Sequence, residues 1–194
     1  MSVTPVALQI GESVDGPPSL PTPVQPPLHC LVGDTRSASS CEFATEAERL
    51  GIRVVRTSGD ITDFWFQELA ERWRTAPVAI GGLTEHGPLF CLERLGWDHG
   101  LRVVFRGTHR ELEGGFVEHA IAGPFPTIAA VHTDLAGPEW PRRLARLLNS
   151  CPSARDTSAT TVRGVSAEGP GRAGHHGDAL VSWVIAPKAR GERS

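Results

Sequence analysis

The chain has 194 residues, 40% hydrophobic and 21% charged, which is enough for one ordinary core. Its formal charge of -3 leaves no basic excess to grip a phosphate backbone, so nucleic acid is not an expected partner. No apolar run reaches the roughly 18 residues of a membrane helix, so no membrane span is expected, and the first residues lack a secretory signal, which makes a cytoplasmic location the expectation.

Residues 1–27 hold seven of the sixteen prolines and are read as an extended, disordered arm. A single α/β domain is expected over 28–187, followed by a tail at 188–194. Its first strand is Leu28 to Val32, closed by Gly33-Asp34. Ser39 or Ser40 is predicted to cap a helix through Phe43, Ala44, Ala47 and Leu50, ended by Gly51. Ile52 to Thr57 reads as a second strand, and Asp60 or Thr62 as the cap of a helix with Ile61, Trp65, Leu69 and Trp73 at steps of four, a core spacing rather than a cofactor stack. Val78 to Leu83, Pro88 to His99 and Leu101 to Phe105 continue the alternation. Strands and helices in this order predict an α/β fold, a Rossmann-like or flavodoxin-like parallel sheet of four strands with helices on both faces.

The pattern then changes. Phe116 to Ala122 and Thr127 to Thr133, joined by Gly123 to Pro126, predict an antiparallel hairpin extension. Pro138 to Asn149 reads as a helix, Ser153 to Gly177 as a mobile loop, and Ala179 to Ala186 as a last strand. Four scattered cysteines without a C-x-x-C pair suggest a reducing compartment. Lys188 is the only lysine and lies outside any P-loop pattern, which removes Schiff-base chemistry and P-loop phosphate binding.

Ligands of open α/β sheets bind outside the carboxyl ends of the parallel strands, where helix N-termini offer free N–H groups. The loops there would bring Asp34, Arg36, Thr84, Glu85, His86 and His109 to one cleft, with Gly82 letting backbone approach a ligand. An acidic guest held by Arg36 is expected. Glu85 and His86 supply acid and base, and Cys91, one turn into the following helix, is a candidate nucleophile, although a buried hydrophobic role is preferred for it. His119 and His132 would face each other across the predicted hairpin, with Asp134, His175 or His176 as a third ligand, but no spacing fixes a metal site and no cofactor is assigned.

The segment Ile80-Gly-Gly-Leu-Thr-Glu-His-Gly-Pro-Leu89 resembles the strand-end loop of aspartate/glutamate racemases, but Leu83 stands where their catalytic cysteine would be, so two-base racemisation is not implied. Asp63-Phe-Trp-Phe66, the run Ala79 to Arg106 and Val181-Ser-Trp-Val-Ile-Ala-Pro187 together are similar to a group of bacterial proteins labelled only by a twin-arginine export signal. That resemblance implies no activity. It allows a periplasmic location for relatives that carry the signal, while this chain opens on no Arg-Arg pair.

The expected function is binding of a small anionic or polar ligand at the strand ends. The alternatives are a Cys/His-dependent enzyme for acyl or proton transfer and an accessory interaction protein.

Overall fold

Residues 28–151, 157–166 and 179–187 are described in the computed structural model of the chain. Leu28–Asp34 forms β1, Ala38–Arg49 α1, Val54–Thr57 β2 and Ala79–Thr84 β3. β1 pairs in parallel with β2 and with β3, Leu31 lying opposite both Val54 and Gly81. The expected crossovers are therefore present in this half. Ser37, rather than Ser39 or Ser40, caps α1 by accepting from the Ser40 amide. The Ser40 hydroxyl turns inward, accepts from the Asp34 amide at 2.7 Å and donates to the Leu83 carbonyl at 2.5 Å, fastening α1 to two strands. Gly51, at φ 77°, takes the left-handed conformation that ends the helix.

The second helical stretch starts as α2 (Thr62–Phe64), passes through a π-helical segment (Trp65–Leu69) and continues as α3 (Ala70–Thr75). Residues four apart drift by about 40° per step around a regular α-helix. The slower winding of the π segment offsets that drift, so Ile61, Leu69 and Trp73 all reach the core, with Trp65 edge-on to Trp73 at 5.9 Å. His86–Trp97 follows as α4.

Four strands complete one seven-stranded sheet in the order β2-β1-β3-β7-β4-β5-β6: β4 (Leu101–Leu112), β5 (Phe116–Pro124), β6 (Thr157–Val165) and β7 (Leu180–Pro187). The expected four-strand parallel core is corrected here, because β7 lies between β3 and β4, antiparallel to both. Val181 to Ala186 are buried without interruption, and only a central strand covered on both faces satisfies such a run. The sheet is thus mixed, with two parallel pairings and four antiparallel ones among the described residues.

The expected hairpin is also displaced. β4 and β5 form it around Gly114 and Gly115, both at positive φ, and Phe125–Asp134 is helix α5. Ile128, Val131 and Leu135 recur at steps of three and four, a helical spacing that buries all three. The predicted mobile loop is interrupted by β6, whose β-branched residues pair with β5 from Phe116–Val165 to Pro124–Thr157. The remainder of that loop, with His175 and His176, the arm 1–27 and the tail 188–194 lie outside the described residues.

Helices cover both faces of the sheet. α1, α5 and α6 (Trp140–Asn149) bury Leu31, Phe43, Leu83, Phe105, Val131 and Leu144 on one side. The α2–α3 stretch and α4 bury Val32, Leu69, Trp73, Ile80, Leu92 and Trp183 on the other. Each such side chain contributes about 1.5–3 kcal/mol by burial.

Candidate functional site

At the carboxyl ends of the parallel strands the structure joins three of the expected residues. Arg36 forks onto Asp34, with Nε to Oδ1 at 3.0 Å and Nη2 to Oδ2 at 2.7 Å, and Nη2 also reaches Glu85 Oε2 at 2.8 Å. Asp34 is only 1% exposed. Burial pushes its pKa up, but the bonds from Arg36 outweigh burial and hold the carboxyl below its ordinary range. Gly59, at φ 100°, lies against the guanidinium, where a Cβ would fall 2.6 Å from Nη2. With two carboxylates on one arginine, Arg36 is already neutralised and is not the open anion partner that the sequence suggested.

The remaining expected residues point elsewhere. In β3 alternate residues face opposite sides, and Ile80, Gly82 and Thr84 face the α4 layer. Thr84 is fully buried, donating to the Glu85 carbonyl at 2.8 Å and accepting from Trp183 Nε1 at 3.1 Å. Gly82 leaves room for Trp183 rather than for a ligand, since a Cβ there would lie 2.6 Å from Cζ2. His86 is exposed and stacks on Phe90 at 6.3 Å. Cys91 is exposed rather than buried and, five positions on, sits about 140° around α4 from His86. The described residues show no contact between them, so the cysteine–histidine pair is not assembled. Arg36, Thr84 and His86 therefore do not share one cleft.

His109 lies in the core between the sheet and α6, where it meets a partner that the sequence reading missed. Its Nδ1 is 2.7 Å from Nδ1 of His119, directly opposite on β5, and its Nε2 is 2.7 Å from Ser182 Oγ on β7. Trp140 stacks on His109 at 4.8 Å and lies 5.0 Å from His119. Gly107 and Gly164 clear the space, because a Cβ would fall hard against Ser182 Oγ at the first and 2.9 Å from His119 Nε2 at the second. Burial drives the His109 pKa well below its ordinary value, helped by His119, and lowers that of His119 to about 4, while the Leu135 carbonyl opposes the shift at His119. The expected His119–His132 pair is thus replaced, and His132 instead bonds Thr160 at 3.0 Å on the surface. Centring the hairpin on Gly114-Gly115 would have revealed the pair in the sequence. Ser182, His109 and His119 have the order of a nucleophile relay, but Ser182 is mid-strand and fully buried, beyond the reach of substrate.

A cleft of about 430 Å³ opens beside the edge strand β2. Thr57, Ser58 and Asp60 from its carboxyl end form one wall, and Asp63, Phe64 and Gln67, from the start of α2 through the π segment, form the other. Thr57 Oγ1 accepts from the Gly59 amide at 3.1 Å and donates to the Asp60 carbonyl at 2.5 Å, which fixes the turn. Arg53 and Arg56 also border the cleft, the first forked onto Glu68 and the second onto Glu48. Among the described residues no cluster of three or more His, Cys, Asp or Glu stands ready for a metal ion, and no helix is long and apolar enough to cross a membrane.

No known protein family, characterised protein or solved structure matches the chain.

Proposed function

We propose that the chain binds a small polar molecule at the carboxyl end of β2, in the cleft between the Ser58–Asp60 turn and the π-helical segment. The observation that carries this reading is the coincidence of three features. A cavity of about 430 Å³ falls in the size range of ligand sites. It runs along the edge strand β2 and reaches its carboxyl end, the end of a parallel strand at which α/β sheets bind ligands. One wall is a π segment, a helical irregularity frequent at functional sites.

Charge narrows the guest. The bordering arginines are taken by Glu68 and Glu48, whereas no ion pair neutralises Asp60 or Asp63 among the described residues. A ligand carrying amine, amide or hydroxyl groups fits this lining better than the acidic guest expected from sequence. The Asp34–Arg36–Glu85 cluster then acts as a brace, since Arg36 packs against Gly59 between the cleft residues Ser58 and Asp60.

A thermal-shift screen of the full chain against amines, amino acids, polyols and sugar phosphates tests this. A ligand at a hundred times its Kd stabilises the native state by about 2.7 kcal/mol. The shift should come from an uncharged or cationic compound and disappear in Asp63→Asn and Ser58→Ala. A screen without hits, or a hit indifferent to both substitutions, counts against the proposal.

One observation favours a second reading, the accessory interaction protein. Phe90 and Trp97 lie on the outer face of α4, 53% and 42% exposed, with Arg94 stacked over Trp97 at 4.5 Å. Aromatic and arginine side chains are enriched in interfaces. If this face docks a partner, Phe90→Ser abolishes association in sedimentation, while an unchanged monomer in both proteins removes a self-association role.

A further inference from the structure

The His109–His119 pair has features that a merely space-filling core does not need. Both rings are withdrawn from water, linked through a single 2.7 Å Nδ1–Nδ1 contact, and sandwiched between Ser182 and Trp140. His119 Nε2 is buried, closes no full hydrogen bond and faces the Leu135 carbonyl. That carbonyl favours a hydrogen on His119 Nε2, which leaves His119 Nδ1 as the acceptor of the shared bond. His109 then donates from Nδ1 and accepts the Ser182 hydroxyl hydrogen at Nε2. Every lone pair and hydrogen between the three side chains is used in this neutral state.

Protons enter this arrangement unequally. The first goes to His109 Nε2, the Ser182 hydroxyl rotates to accept from it, and the contact between the rings survives. The second has only His119 Nδ1 to occupy, which would set two hydrogens face to face in a 2.7 Å gap between two cations. We propose that the His109–His119 pair is a proton-binding site that holds one proton in place and is split by a second, so that acid releases α5, the start of α6 and β6 from the sheet while β1, β2 and β3 stay folded.

Among the described residues the surroundings give the added charge no counterion. β7 presents Ser182, β6 presents Gly164, α6 presents Trp140 and the end of α5 presents the Leu135 carbonyl. Charged side chains of the same elements engaged elsewhere include Arg106 with Glu93, Arg110 with Glu118, Arg163 over Phe116, Asp134 with Arg143, Arg142 with Glu42 and Arg146 with Glu46. Cys151, in the same core, contacts Thr127. Among the described residues, the titratable group facing each imidazole is the other imidazole.

The test is hydrogen exchange by mass spectrometry on the full chain between pH 7 and 4, corrected for the intrinsic pH dependence of exchange. Uptake of one or two protons on opening raises the opening constant ten- to a hundredfold per pH unit. This slope should appear in 125–141 and 157–165 and be absent from 28–34 and 79–84. Histidine NMR on the same protein should show both imidazoles titrating below the ordinary value of about 6.5, the first proton entering while the segments stay closed and the second in step with the opening. A His109→Phe/His119→Leu double variant, if folded, should lose the slope. A flat profile, equal loss of protection in the parallel strands, or imidazoles that titrate at ordinary pH while the segments stay closed would overturn the proposal, and the last outcome needs no variant to fold.

Discussion

Replacing Gly82 by alanine asks whether Gly82 is empty space for a ligand or space already filled by Trp183. A Cβ at this position falls 2.6 Å from Cζ2 and 2.9 Å from Cε2 of Trp183, and 2.8 Å from the Val32 carbonyl oxygen. Neither neighbour yields easily. Val32 is held in the β1–β3 ladder, and Trp183 is fully buried with its indole bonded to Thr84. Overpacking costs about 1–3 kcal/mol, and losing the indole hydrogen bond adds about 1 kcal/mol. At roughly 2–4 °C per kcal/mol for a chain of this size, Gly82→Ala should lower Tm by roughly 5–15 °C. Gly87→Ala is the matched control, because no tertiary neighbour lies within 4 Å of its Cβ in the first turn of α4. It should change stability by less than about 1 kcal/mol, because the chain-entropy gain is offset by the crowding of a Cβ against the ring of Pro88. Calorimetry gives both values, and near-ultraviolet circular dichroism reports Trp183. The reasoning fails if Gly82→Ala is no less stable than Gly87→Ala and leaves the tryptophan signal intact.

Three further outcomes follow from the same structure. Glu46 is held by Arg49 at 2.7 Å and Arg146 at 2.8 Å, which lower its pKa to about 2. The folded pKa lies below the unfolded one, so the stabilisation is complete above about 4.5 and lost as pH falls through 2. Both arginines reach solvent, which screens the pair, so Glu46→Gln should cost only about 1–2 kcal/mol at pH 7 and progressively less as pH falls toward 2 in denaturant titrations. For thiols, Cys91 is exposed, whereas burial raises Cys30 to about 12 and Cys151 to about 11. Iodoacetamide should label Cys91 in the native protein and reach Cys30 and Cys151 only on unfolding, as read by peptide mapping. Gly164→Val places side-chain atoms where even a Cβ comes within 2.9 Å of His119 Nε2 and lies hard against the Leu135 carbonyl. It should cost about 2–4 kcal/mol and unfold at a lower urea concentration than Gly137→Ala, whose Cβ meets nothing within 4 Å.

The first half of the fold was legible because its signals are local. Leu28 to Val32, the helix through Phe43 and Ala47, and Gly51 at its end needed only apolar spacing and a left-handed glycine. Strand order was not legible, since β7 comes from the end of the chain and enters beside β3. The stretch from Thr127 to Thr133 reads as a strand because Thr, Ile and Val are β-branched, yet the spacing of Ile128, Val131 and Leu135 is helical. At the site, strand ends placed Asp34, Arg36 and Glu85 together correctly. Thr84 and Gly82 were misplaced because the side that each faces in β3 depends on the neighbouring β7, which only the fold supplies. The cleft beside β2 owes its other wall to a π segment, and apolar spacing alone does not distinguish that from ordinary helix.

The central claim, a small polar ligand in the β2 cleft, is tested most directly by mapping amide shifts of the ¹⁵N-labelled chain during titration with the strongest thermal-shift hit. The largest changes should fall on Thr57 to Asp60 and Asp63 to Gln67, with smaller ones at Arg36 through Gly59, and Asp63→Asn should weaken binding at least tenfold. Changes confined to α4 around Phe90 and Trp97, or spread evenly over the chain, would contradict it.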